Sequence, residues 1–252
     1  MKVDIKNFSF SYGTRNSSLP VLDDISLTVK KGEFVCILGP SGCGKTTLLN
    51  CLLGFEKTQD GKILIDGKPI KMGQKALMVF QDALLLPWRN VLKNLTFGLE
   101  IQKVNKKLAR KKAKKVLKLL NLSEFEEYYP HELSGGMKQR VNFGRALVCD
   151  PEIVLLDEPF AHLDGQTREM LQKEIHNVCI KTKKTYIFVT HEIDEALYLA
   201  DRVVILHKRP GKIKKIIKVD FKKPRPLSVK YTKNFLKLKK EVWETIKNEI
   251  YI

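Results

Sequence analysis

With 252 residues, the chain has room for one large α/β unit carrying an insert, or for two small domains. Its 43% hydrophobic content supports a packed core and excludes disorder by composition. No uncharged apolar stretch approaches the roughly 18 residues a membrane helix needs. The balance of 46 basic against 28 acidic residues gives +18, which suits nucleic acid, anionic lipid headgroups or nucleotide phosphates. The lysines are scattered, and no basic stripe with interleaved aromatics appears, so no direct nucleic-acid partner is expected.

The opening Met1-Lys2-Val3-Asp4 leads into strand-like sequence with no apolar secretory core, which predicts a cytosolic chain. Val3 to Ile5, Phe8 to Phe10 and Ile25 to Val29 alternate as strands do. Phe34 to Leu38 is a continuous apolar run, the pattern of a buried parallel strand. A glycine-rich turn begins at Gly39, and a helix is expected from Lys45 to Leu53. Ile63 to Ile70 reads as a hairpin turning at Asp66-Gly67.

Over residues 90–130 strand formers thin out and Leu, Lys and Ala dominate, which predicts a helical insert. Leu108, Val116, Leu117, Leu119 and Leu120 are expected on one helical face, ringed by lysines that form a solvated or a membrane-facing surface. The α/β pattern then resumes: strand Ile153 to Asp157, helix 165–180, strand Thr185 to Thr190, helix Glu192 to Leu199 and strand Val203 to Leu206. The lysine-rich tail ends in a helix near Lys230 to Glu249.

Gly39-Pro40-Ser41-Gly42-Cys43-Gly44-Lys45-Thr46 fits Gly-x-x-x-x-Gly-Lys-Ser/Thr, between a buried strand and a helix as its mechanism requires. Glycines let the backbone N–H groups turn toward phosphate, and the helix N-terminus adds positive potential. Lys45 is expected at the β- and γ-phosphates, and Thr46 on Mg²⁺. Cys43 lies in this loop beside Lys45 and a helix N-terminus, which predicts a reactive thiol that ATP protects, against the alternative of an inert small residue. The cysteines as a set, Cys36, Cys43, Cys51, Cys149 and Cys179, form no Cys-x-x-Cys pair and join no His cluster, so unpaired thiols are expected.

Ile153 to Asp157 is an apolar strand ending in acid, followed by Glu158. Asp157 can hold Mg²⁺, and Glu158 can orient or deprotonate the attacking water. His191 follows the next strand and is either structural or a contact for the γ-phosphate.

Leu133-Ser134-Gly135-Gly136-Met137-Lys138-Gln139-Arg140 resembles the signature motif of ABC ATPases. A serine and two glycines opening a helix give a second phosphate-binding N-terminus, which makes sense if it serves ATP held by a partner copy. The resemblance extends over nearly the whole chain. It implies that Tyr12 stacks on adenine, that Thr47 joins the loop's nucleotide contacts, that Gln81 is the Q-loop glutamine on Mg²⁺ and water, that Asp164 is the D-loop aspartate and that His191 is the switch histidine. It implies a P-loop NTPase core with a parallel sheet, an N-terminal antiparallel β subdomain and an inserted α-helical subdomain. The expected division is 1–87 and 150–220 for the core, about 88–149 for the helical unit and 221–252 for a basic tail. Two departures stand out: Met137 replaces the commonest glutamine, and His162 occupies a D-loop position where a small residue is usual.

Leu84 to Val91 and Arg209-Pro210-Gly211-Lys212-Ile213 resemble segments of the nitrate, sulfonate and taurine importer group. That likeness implies an ATP-hydrolysing subunit on the cytoplasmic face of a membrane. Its expected partners are a second copy of itself, integral membrane permeases and a separate extracytoplasmic solute-binding protein. Importers of thiamine precursors, bicarbonate or another solute stay open as alternatives, and Trp88 is either core packing or part of a permease groove. A soluble ABC ATPase acting on nucleic acid is the rival class; such proteins usually carry coiled coils or two ATPase halves, neither of which this sequence has.

Overall fold

The computed structural model describes residues 2–14, 17–70 and 76–250. Two sheets organise it. A four-stranded antiparallel sheet has the order β2 (Ser17–Val29), β1 (Val3–Thr14), β4 (Asp60–Ile65), β5 (Lys68–Pro69). The larger sheet has the order β10 (Ile213–Lys218), β9 (Arg202–Leu206), β3 (Phe34–Leu38), β8 (Thr185–Thr190), β7 (Ile153–Asp157), β6 (Ala76–Val79). Every pairing in it is parallel except that of β10 with β9.

Because successive strand residues face opposite sides, the apolar runs feed two cores. Cys36, Leu38, Val154, Leu156, Tyr186 and Phe188 pack toward the helices of the second half. Val35, Ile37, Ile153, Leu155, Ile187 and Val189 pack toward α1 (Lys45–Leu53) and the antiparallel sheet. The hairpin between β4 and β5 turns at Asp66 and Gly67, whose φ values of 50° and 76° are the left-handed pair such a turn requires.

The helical insert contains α2 (Val91–Ile101), α3 (Lys106–Leu119) and α4 (Gly135–Val148). Asn90 and Asn105 cap the first two through side-chain oxygens that accept backbone N–H groups. The apolar face of α3 matches the expected one at Val116, Leu117, Leu119 and Leu120, which pack on the core, but Ala109 and Ala113 join Leu117 at i, i+4, i+8, whereas Leu108 is 47% exposed. The small alanines share the contact face with Leu117, and Leu108, about 100° round from Ala109, points away from it.

β6 and β10 were not legible in the sequence. The N-terminal alternating patches are two long paired strands with bulges rather than separate short ones. After β7 come α5 (Gly165–Thr182) and α6 (Ile193–Leu199), and α7 (Lys233–Ile250) closes the chain with Phe235, Val242 and Ile246 in the core. Arg225, 2% exposed, donates to the carbonyls of Leu197, Tyr198 and Ala200 at 3.2, 2.8 and 2.9 Å, and so caps the end of α6. Trp88 is 71% exposed, which rules out the core-packing alternative. No helix among the described residues is long and apolar enough to cross a membrane.

Candidate functional site

The loop from Gly39 to Gly44 joins the buried end of β3 to the start of α1. Gly42 and Gly44 adopt φ of 77° and 98°, which side-chain-bearing residues rarely reach. At Gly44 a Cβ would also lie 2.8 Å from Leu22 Cδ2. The loop curls round Lys45, which is 6% exposed, and its Nζ donates to the carbonyls of Gly39 and Pro40 at 2.9 and 3.0 Å. Glu158 Oε1 lies 3.7 Å from the same ammonium. A cleft of about 440 Å³ opens over this loop; Ser41, Thr46 and Thr47 line it with Lys45 and Glu158, and Tyr12 and Arg209 stand at its edge. Tyr12 is 41% exposed, and its ring packs perpendicular to that of Phe10 with centroids 4.9 Å apart.

Cys43 overturns the expectation of a reactive thiol. It is 1% exposed, and burial pushes its thiol up despite the neighbouring Lys45. The sequence shows the cation and the helix N-terminus but not the apolar contacts that close over the sulfur.

Asp157 ends β7 and accepts a hydrogen bond from Thr46 Oγ1 at 3.2 Å. Burial raises its carboxyl above the ordinary range, Thr46 opposes that rise, Glu158 adds to it and Lys45 opposes it. A hydroxyl beside a buried carboxylate is a hard-oxygen donor pair, and a divalent cation would offset the cost of burying that charge, so these residues fit Mg²⁺. Glu158 takes the strained φ of 41°, donates its N–H to Val189 at 3.1 Å and places Oε2 2.8 Å from His191 Nδ1. Lys45, Glu158, His191, Thr46 and Asp157 thus converge from three segments at the ends of parallel strands, where open α/β sheets bind ligands.

Gln81 stands apart from this group, with its side-chain amide on His162. Its backbone is held by α4: Gln139 bonds the Gln81 carbonyl, Asn142 bonds the Phe80 carbonyl at 3.0 Å and Arg145 bonds the Leu84 carbonyl at 2.6 Å. Reading the sequence missed these three supports, whose available signal was polar residues at i, i+3 and i+6 on one helix face, and it did not place Arg209 at the cleft.

Ser134 is the N-cap of α4, its Oγ accepting from Met137 N at 3.3 Å, and Gly135 and Gly136 form the first turn. A Cβ on Gly136 would meet Thr167 Cγ2 at 2.7 Å, so the glycine allows α4 to start against α5. Met137 packs against the core. Asp164 caps α5, accepting from Thr167 N at 3.0 Å, and the Thr167 side chain first, then its backbone N–H, hold the carboxyl below the usual range. Neither Ser134 to Met137 nor Asp164 lines the Lys45 cleft.

The sequence profile of the family described as ABC transporter matches residues 22–161. An uncharacterized ABC transporter ATP-binding protein of Methanocaldococcus jannaschii is 47% identical over 251 residues, 99% of this chain and 93% of that protein. An aliphatic sulfonates import ATP-binding protein of Bacillus cereus is 42% identical over 243 residues, 96% of this chain and 94% of that one. Among solved structures, a dimeric ATP-binding cassette in a post-hydrolysis state, bound to ADP and Pi, is 30% identical with a TM-score of 0.74, covering 87% of this chain and 100% of that one. A Clostridium perfringens protein that is part of an ABC transporter complex is 26% identical with a TM-score of 0.76, covering 95% and 94%. The phosphate loop, the signature helix and the Asp157-Glu158 strand end all fall in the matched segment, and the chain belongs to the ABC transporter family, as an ATP-binding, ATP-hydrolysing subunit.

Proposed function

We propose that this chain powers an importer of a small anion, with sulfonates the first class to test. It works as one of two copies bound under integral membrane permeases on the cytoplasmic face, with a separate extracytoplasmic binding protein delivering solute. The 42% identity to the Bacillus cereus sulfonate import subunit supports the substrate class. So do the segments Leu84 to Val91 and Arg209 to Ile213, and the exposed Trp88 beside the Q-loop is free to meet a permease helix. On this reading residues 1–87 and 150–220 form the catalytic core, 88–149 the helical arm and 221–252 the tail.

The convergence of Lys45, Glu158 and His191 over the phosphate loop carries the catalytic part. The loop N–H groups and Lys45 receive the β- and γ-phosphates, and Lys45 exchanges its carbonyl partners for phosphate oxygens. Tyr12 stacks on the adenine. Glu158 orients water in line with the γ-phosphorus and takes its proton. His191, bonded to Glu158, fixes that carboxylate and turns its other ring nitrogen to the γ-phosphate. Thr46 and Asp157, joined by Gln81 once it leaves His162, would hold Mg²⁺, which supplies charge neutralisation of the phosphate oxygens. Ser134, Gly135 and Gly136 of the second copy close over the same nucleotide, with Asp164 at the contact between copies. Loss of the γ-phosphate removes the bridge, and the pair opens.

Glu158→Gln tests the catalytic and dimer readings together. The variant is expected to lose turnover by at least about 100-fold and to form a dimer only with Mg-ATP, read by size exclusion with light scattering. A variant that binds ATP yet stays monomeric at high concentration removes the sandwich. Stimulation of ATPase in the assembled transporter by sulfonate-loaded binding protein supports the substrate class. Stimulation by a thiamine precursor or bicarbonate replaces it.

A further inference from the structure

Behind His191 lies a buried polar chain with no part in the mechanism above. Glu195, on α6, is 4% exposed. Its Oε2 accepts the Thr190 hydroxyl at 2.8 Å, and its Oε1 accepts Gln172 Nε2 of α5 at 3.2 Å. Thr190 and Gln172 are themselves 1% and 2% exposed. The Thr190 oxygen in turn accepts the Glu192 N–H at 3.0 Å, closing a three-residue turn around His191. A space of about 30 Å³, room for one water, is bounded by Glu158, Arg168, Thr190, His191, Glu192 and Glu195. Arg168 Nε is buried without a partner.

Burial raises the Glu195 carboxyl to about 7, with Thr190 opposing and Glu192 adding to the rise. Both Glu195 oxygens are engaged, and they link α6 to the end of β8 and to α5.

We infer that Glu195 is a positioning residue for hydrolysis: through Thr190 it fixes the turn that keeps His191 on Glu158, and through Gln172 it ties that turn to α5, the helix that begins at Asp164. The inference rests on the roles proposed for His191 and Glu158. It places a rigid connection between the end of β8 and the D-loop helix within one copy, so that displacement of α5 is felt at the histidine.

The test compares Glu195→Ala, Glu195→Gln and Thr190→Val with His191→Ala in the purified chain, reading ATPase turnover, KM and the affinity for a fluorescent ATP analogue. Glu195→Ala and Thr190→Val are expected to lower kcat by at least about tenfold, with nucleotide affinity and KM held within about twofold. Glu195→Gln is expected to recover most of the rate, because an amide can donate to Thr190 and accept from Gln172. Normal turnover in Glu195→Ala alongside a deficient His191→Ala overturns the inference. So does a Gln variant as impaired as the Ala variant, or a loss of affinity that matches the loss of rate. If Glu195→Ala fails to fold, Thr190→Val carries the same comparison. An unimpaired His191→Ala removes the reading of the site, and this inference with it.

Discussion

Gln81 Nε2 lies 3.0 Å from His162 Nε2, a bond between the Q-loop and the turn after β7. The amide nitrogen can only donate, so in this contact the ring nitrogen is the acceptor. Asp82 Oδ1 is 3.7 Å from the same nitrogen. A Q-loop glutamine that reaches a metal must first leave this partner. On the role proposed for Gln81, His162, the departure from the D-loop pattern noted in the sequence, competes with the nucleotide site for that side chain.

His162→Ala is expected to tighten apparent Mg-ATP affinity by about two- to tenfold, the net value of one neutral hydrogen bond. Nucleotide titration at fixed pH measures it. An unchanged affinity would show that this exposed bond does not restrain Gln81.

Gly39 and Cys43 make a second pair. A Cβ at Gly39 would stand 2.8 Å from Cys43 Sγ. Gly39→Ala is expected to destabilise the fold by about 1–3 kcal/mol through overpacking, and adding Cys43→Ala to return at least half of that in urea unfolding. The same burial predicts slow maleimide labelling of Cys43 in the native chain, with or without Mg-ATP. Rapid, ATP-sensitive labelling would restore the reactive-thiol reading.

Arg225→Ala leaves the carbonyls of Leu197, Tyr198 and Ala200 without their donor. A loss of about 3–5 kcal/mol is expected from denaturant curves. Arg225→Lys should recover only part of it, because one ammonium cannot reproduce the planar fork.

His176 is 1% exposed and accepts the Arg225 N–H at 3.0 Å. Burial, with Arg225 and Lys223 adding to it, lowers its imidazole from 6.5 to about 4. Between those values the unfolded chain binds a proton that the folded chain does not. Stability is therefore present above pH 6.5 and lost as pH falls toward 4, by roughly 3 kcal/mol over the window. Unfolding midpoints from pH 7 to 4.5 check this, and His176→Gln, which keeps an acceptor, should flatten that part of the profile. Parallel profiles for both proteins would contradict it.

Local signals recovered much of the architecture. Phe34 to Leu38, Ile153 to Asp157 and Thr185 to Thr190 were readable as buried parallel strands because both faces are covered and the apolar run is unbroken. The helix from Lys45 to Leu53 was readable from the glycine-rich turn before it, and in the structure Gly54 caps its end. β10 was not, because Ile213–Lys218 is an edge strand with lysines on its open face, and in sequence that resembles a basic tail. On α3 Leu117, Val116, Leu119 and Leu120 pack on the core as read from the sequence, but Leu108 was misplaced and Ala109 and Ala113 overlooked, because leucines outweigh alanines in a pattern count.

The sequence by itself determined the family, the phosphate loop and the acid pair, since each is a contiguous string whose spacing is its chemistry. Only the tertiary structure decided that Cys43 is buried, that Gln81 rests on His162, that α4 carries the Q-loop and that Glu195 stands behind His191. Those facts join residues from separate strands and helices. Burial and hydrogen bonding between distant segments follow from how the two sheets and the helical arm close on one another, and no local periodicity encodes that closure.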